Sequence, residues 1–177
     1  MPLSQPKVLI DRNRISQTVQ DLGKKISGAY DGENLVAICI LKGAFMFLAD
    51  LIRCLTIPMK IDFIRLASYG SEQISSQNVR ITKDIEVSIE GKDVLIVEDI
   101  VDTGLTLAFL RERLSTHRPK SIKICALLNK PSRREVDVPL DFVGFEIEDR
   151  FVVGYGLDFD EGYRGLPDIC YLEEATP

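Results

Sequence analysis

Residues 94–107 read VLIVEDIVDTGLTL. Val94 to Val97 form an unbroken apolar run, which suits a strand buried on both faces of a parallel sheet. Glu98 and Asp99 follow at once. Asp102 comes two apolar residues later, and Thr103, Gly104, Leu105 and Thr106 then lead into a segment that reads as helix. A strand, a small hydroxyl-rich turn and a helix in that order suit an anion. Gly104 lets the backbone turn tightly, successive amides can form a nest, and the helix N-terminus adds partial positive charge. The turn holds no lysine, so it fits one phosphate group rather than a nucleoside triphosphate.

Two carboxylates beside such an anion cost energy unless something offsets them. A sugar diol would do so by donating hydrogen bonds, and Mg²⁺ would do so through oxygen ligands. A molecule with a phosphate, a ribose diol and a metal-bound group meets all three demands. Three plainer readings compete. The strand resembles that of a nucleotide hydrolase whose acid holds Mg²⁺, but no GxxxxGK[ST] segment occurs. Phospho-acceptor signalling domains have similar strands with their acids placed differently. The turn could also be a structural loop in which Asp102 or a threonine caps the helix.

The rest of the chain fits an α/β fold. Ile15, Val19, Leu22 and Ile26 have helical spacing, with Asp11 as N-cap and Gly28 as stop. Leu35 to Leu41 (LVAICIL) is a second buried strand, and Phe45 to Leu55 is a helix. KIDFIRLAS alternates at Ile61, Phe63 and Arg65, which predicts a strand. Ser68 to Arg80 is polar and aperiodic, the composition of a long exposed lid or binding loop. VRITKDIEV returns from it as a strand. A helix is expected over 105–117, then strands at SIKICALL, DFVGFEI and FVVGYGLDF. Alternating strands and helices argue for a mostly parallel sheet with helices on both faces, and ligands in such sheets sit beyond the carboxyl ends of the strands. LKG at 41–43, EDIVDTGLT at 98–106 and LLNKPSRR at 127–134 are the segments expected there.

Composition bounds the alternatives. The chain has 177 residues, 45% hydrophobic and 28% charged, with a net charge of −5. That suits one folded domain over 1–177 and argues against a general nucleic-acid binder. The cysteines, Cys39, Cys54, Cys125 and Cys170, form no CxxC pair and mostly lie in apolar runs, as expected of free buried thiols. No apolar run approaches a membrane span, and the start lacks a signal-peptide core, so a cytoplasmic protein is expected.

VLIVEDIVDTGLTL closely resembles the phosphoribosyl-pyrophosphate motif of type I phosphoribosyltransferases. LKGAFMF, SYG, LLNKPSRR, DFVGFEI, FVVGYGLDF and YRGLP resemble, in order, segments of that family's hypoxanthine-guanine branch. The resemblance covers about 8–172. It implies the type I fold, with a small hood built from the N-terminal segment and about 145–177, and a lid at 68–80. It implies that Glu98 and Asp99 hold the ribose hydroxyls, Asp102 is general base toward purine N7, and Thr103, Gly104, Leu105 and Thr106 bind the 5-phosphate. Some members carry lysine or arginine where this chain has Leu105. Leu41, Lys42 and Gly43 resemble the pyrophosphate loop, which often carries a cis peptide, and Arg164 would lie near pyrophosphate. Ser68 and Tyr69 resemble the start of the lid. Lys130 would donate to a 6-oxo group, Phe151 would stack on the base, and Val152 would meet its 2-position edge. Asp158, with Glu98 and Asp99, would lie near Mg²⁺. The implied partners are a 6-oxopurine and phosphoribosyl pyrophosphate, with no membrane or nucleic acid, in a homodimer or homotetramer. The rivals are an enzyme preferring xanthine or guanine, and a non-catalytic regulator on the same fold.

Overall fold

The structure, a computed structural model, describes residues 5–32, 34–68 and 79–172. Its main sheet has six strands in the order β4-β3-β2-β5-β6-β7. These are β2 (Leu35–Leu41), β3 (Met59–Ser68), β4 (Val79–Lys83), β5 (Asp93–Val101), β6 (Ser121–Asn129) and β7 (Phe142–Glu146). All neighbours run parallel except the β3–β4 hairpin. The chain leaves β2 for β3 on one side and β5 for β6 on the other. The direction of winding therefore reverses between β2 and β5.

The central strands are apolar on both faces, and each face meets its own cover. Leu35, Ala37 and Cys39 of β2, with Leu95 and Val97 of β5, face α1 (Arg12–Ala29) and α2 (Phe45–Cys54). Val36, Ile38, Val94 and Ile96 face Leu107, Leu110 and Leu114 of α3 (Leu105–Ser115). Apolar loop residues 85–89 and 136–140 complete that second cover. Burial of each such Leu, Ile or Val contributes about 1.5–3 kcal/mol, so alternation along these strands specifies their register.

A second sheet of three antiparallel strands, in the order β1-β9-β8, joins the two ends of the described chain. It comprises β1 (Lys7–Ile10), β8 (Val152–Val153) and β9 (Ile169–Tyr171). Arg12 ties it to α1: its backbone N–H and Nε donate to Asp168 Oδ1, and Nη2 donates to Oδ2 at 2.9 Å.

Several local expectations shift. Asp11 caps α1, accepting from the amides of Asn13 and Arg14, but the helix runs past Gly28 to Ala29. α3 stops at Ser115 rather than near His117, and Arg118 takes a left-handed φ of 53° in the turn that follows. β5 continues to Val101, and Glu98 and Asp99 lie within the strand. In β3 the buried positions are Asp62 and Ile64, while Ile61 is 39% exposed. The alternation is out of phase with the apolar pattern because Asp62 has a structural task. Its carboxylate accepts from the amides of Phe63, Glu86 and Val87 at 2.6–2.8 Å. Those bonds draw the chain off the sheet, so β4 ends at Lys83 and Val87 is not strand. The lid segment 69–78, Tyr69 included, lies outside the described residues. Ser68 ends β3, with its backbone paired to Val79.

Burial pushes the Asp62 carboxyl up, but its three amide donors and Lys83 outweigh that and hold it below its ordinary value. The ion then stabilises the fold above the unfolded-state pKa, and that contribution is lost as pH falls through the lower folded value. Asp62→Ala, which strands two loop amides, is expected to cost about 2–3 kcal/mol at neutral pH. Urea denaturation of both proteins below about pH 4, where the ordinary carboxylate protonates, should show the gap shrinking. A gap that holds constant to pH 2 would remove the carboxylate ion from this role.

Candidate active site

The ladder between β2 and β5 stops at Cys39 and Val97, whereas β5 stays paired with β6 as far as Val101 and Asn129. Beyond Val97 one edge of β5 is free. A crevice opens there at the reversal of winding, where α/β sheets hold ligands. The segments 41–43, 98–106 and 127–134 all reach it.

On one wall β2 ends at Leu41, and the Leu41–Lys42 peptide is cis. Gly43 lies against Asp99 so closely that a side-chain carbon there would coincide with Asp99 Oδ2. Gly156, at φ 100°, packs onto the Gly43 carbonyl in the same way. Tyr155 holds that second turn by donating its hydroxyl to Asp50 Oδ2 of α2 at 2.7 Å. Arg164 Nη1 donates to the Gly156 carbonyl at 2.8 Å. Its Nη2 pairs with Asp158 Oδ1 at 2.8 Å and with Glu161 Oε2 at 3.2 Å. Glu161 also reaches Lys42 Nζ at 2.7 Å. Lys42 and Arg164, remote in sequence, thus share one carboxylate, and the two cations hold it below its usual pKa.

Glu98 and Asp99 form the floor. Glu98 is 7% exposed, and neither acid has an ion-pair partner among the described residues. Burial pushes both carboxyls up, and Asp99 raises Glu98 further. A buried acid beside a part-buried one, neither in an ion pair among the described residues, suits a divalent ion or a diol. The expected third member, Asp158, does not join them: it is taken by Arg164 and accepts from the Glu161 amide at 3.0 Å. Among the described residues no three acidic, histidine or cysteine side chains form a metal cage. Mg²⁺ commonly needs only one or two protein carboxylates with substrate oxygens and water, so this donor set fits it.

The turn 102–106 closes the far end. Gly104, at φ 86°, precedes α3, and no side chain caps that helix. The Thr103 hydroxyl accepts only one long hydrogen bond, from the Leu105 amide at 3.4 Å, so the first turn of α3 remains suited to an anion. A small cavity of about 140 Å³ is lined by Glu98, Asp102, Thr103, Gly104 and Thr106. The backbone of Lys130 donates to the Val101 carbonyl at 2.9 Å, which brings the 127–134 segment beside the turn. Lys130 is 8% exposed, and its Nζ lies 3.5 Å from Asp149. Arg133 Nε bonds Asp102 at 3.2 Å, while its Nη1 reaches Asp149 at 3.4 Å. Phe151 is 52% exposed and meets Phe159 edge-on, with ring centres 5.4 Å apart. Val152 is buried beside it.

A family model described as the phosphoribosyl transferase domain matches residues 9–160. The chain belongs to this family. It is 50% identical over 165 residues to a hypoxanthine phosphoribosyltransferase of Salmonella typhimurium, covering 92% of this chain and 93% of the relative. It is 48% identical over 170 residues to a hypoxanthine-guanine phosphoribosyltransferase of Bacillus subtilis, covering 96% and 94%. A crystal structure of a hypoxanthine-guanine phosphoribosyltransferase from Bacillus anthracis superposes with a TM-score of 0.91 at 45% identity, covering 96% and 99%. The parallel α/β core is thus the family fold.

Sequence reasoning had named Glu98, Asp99, Asp102, Lys42, Lys130 and Arg164. It assigns no role to Arg133, Asp149, Tyr155 or Glu161. Exposed charges and a lone tyrosine carry no periodic signal, so only the folded contacts single them out. Gly43 is constrained most tightly. Gly43→Ala should drive its methyl into the Asp99 carboxylate and cut kcat/KM by roughly 10²-fold, the scale of a 1 Å displacement at a reacting centre. Steady-state kinetics at saturating Mg²⁺ would measure this, and a wild-type kcat/KM would mean the turn yields without consequence.

Proposed function

We propose that the chain is a purine-salvage enzyme that transfers the 5-phosphoribosyl group of phosphoribosyl pyrophosphate to hypoxanthine, and to guanine as well. The products are the nucleoside monophosphate and pyrophosphate. The observation that carries this reading is the juxtaposition, at the open end of β5, of a phosphate-type turn, an acid pair without an ion-pair partner among the described residues, and the buried Lys130, whose backbone bonds Val101.

The turn 103–106 takes the 5-phosphate through backbone amides and threonine hydroxyls. Glu98 and Asp99 face the ribose hydroxyls. Glu98 and Asp99 would hold Mg²⁺ together with substrate oxygens and water, and the ion would supply positive charge to offset that of the pyrophosphate. Lys42 and Arg164 flank the pyrophosphate path. Phe151 offers a flat apolar face to the base, Val152 meets its 2-position edge, and Lys130 donates to the 6-oxo oxygen. A cation there rejects adenine, whose 6-amino group is itself a donor. As the bond from C1 to pyrophosphate breaks, a purine ring nitrogen takes C1 and Asp102 accepts the N7 proton. Arg133 bridges Asp102 and Asp149, so it keeps a carboxylate partner when Asp102 turns to the base. The segment from Ser68, with Tyr69, is proposed to close as a lid that excludes water from the activated sugar. The three-stranded sheet would be the hood over the base. Four free cysteines, three of them buried, suit a reducing cytoplasm. A homodimer or homotetramer is the proposed assembly.

The direct test is turnover of hypoxanthine, guanine, xanthine and adenine with phosphoribosyl pyrophosphate and Mg²⁺, followed by absorbance. Hypoxanthine and guanine should react and adenine should not. No turnover in protein that still binds the phosphoribosyl donor would favour the regulator instead. Asp102→Asn should lower kcat by about 10²-fold or more with donor binding largely intact. Lys130→Ala should raise the purine KM well above any change in the donor KM. Equal changes in the two constants would place Lys130 away from the base.

A further inference from the structure

We propose that Arg134, lying behind the turn at 102–106, supplies the positive charge that the 5-phosphate meets there; this rests on the reading of that turn as the phosphate site. The turn itself carries no cation, since position 105 is leucine. Arg134 packs on its back. A side-chain carbon at Gly104 would lie 3.1 Å from Arg134 Nη1 and 3.2 Å from its Cδ. The guanidinium therefore sits against the residue at which the chain turns into α3.

Its bonding is incomplete in a telling way. Nη2 donates to Asn129 Oδ1, a neutral acceptor at the end of β6. Nη1 is buried and has no hydrogen-bond partner among the described residues. No carboxylate pairs with Arg134 among the described residues, whereas adjacent Arg133 has two, Asp102 and Asp149. A partly buried cation without a counter-ion is unfavourable, and an anion that binds nearby relieves it. The backbone holds the charge in place. The amides of Glu135 and Val136 both donate to the Thr103 carbonyl, at 2.9 and 3.0 Å. The segment after Arg134 is thus fastened to the turn, which keeps the Arg134 backbone beside it. Charge behind the turn leaves its front to backbone amides, and being partly buried it is screened less than a fully exposed lysine in front would be.

A purely structural Arg134, which only pins Asn129, is the competing account. The two differ in what they do to phosphate affinity. The readout is the ratio of dissociation constants for inosine and inosine 5-monophosphate, measured by isothermal titration calorimetry with the full chain. Arg134→Gln is expected to shrink that ratio by about tenfold or more, and Arg134→Lys by clearly less. Asn129→Asp should also shrink it, because it gives the guanidinium an internal counter-ion while Arg134 remains. In steady-state assays Arg134→Gln should raise the KM of the phosphoribosyl donor and leave that of the purine unchanged. An unchanged ratio in Arg134→Gln or in Asn129→Asp overturns the proposal, as do equal losses in the Gln and Lys variants. Should Arg134→Gln fail to fold, Asn129→Asp decides alone. A wild-type ratio near one would instead defeat the reading of the turn itself.

Discussion

Parallel pairing between β2 and β5 ends at Cys39 and Val97, and the site depends on that early stop. β5 remains anchored on its other edge to β6 through Val101, so it projects as a rigid half-paired strand. Backbone beyond a ladder must find other partners or face a ligand. Glu98 and Asp99 sit on that projecting piece, with the phosphate-type turn at its tip. Had β2 paired two residues further, the strands would close over the space where a sugar can lie.

The crevice is held open by contacts that tolerate little change. Gly43 touches the Asp99 carboxylate, Gly156 touches the Gly43 carbonyl, and Tyr155 pins the Gly156 turn to Asp50. Arg164 then closes the chain of contacts onto Gly156. These links join the two sheets through the very residues that flank the acids. Packing and chemistry are therefore not separable here, and a single methyl at Gly43 would act on both.

Charge is arranged in opposed groups rather than spread evenly. Lys42 and Arg164 share Glu161, and Lys130 and Arg133 share Asp149. Each cation pair thus shares one internal carboxylate. Glu98 and Asp99 lack such a partner, and burial raises the pKa of both. Arg134 likewise has no carboxylate partner among the described residues, and it stands directly behind the turn. A ligand with anionic ends and a hydroxyl-bearing middle complements this pattern from Lys42 through to Thr106.

The sequence by itself determined the layered fold and the floor of the site. The apolar runs at Leu35–Leu41 and Val94–Val97 admit only doubly covered strands, and the order of strands and helices requires a parallel sheet. The acids and the DTGLT turn were legible because they sit beside one another in the chain, where spacing alone fixes what can meet. The buried phase of β3 was not legible, because Asp62 is kept inside by amides of Glu86 and Val87 more than 20 residues away. Nor were the pairings of Lys42 with Glu161 or of Arg133 with Asp102, nor the seat of Arg134 behind Gly104. Those depend on where separate loops land once the sheet has formed. Such contacts join residues with no periodic relation in sequence, so only the tertiary structure could decide them.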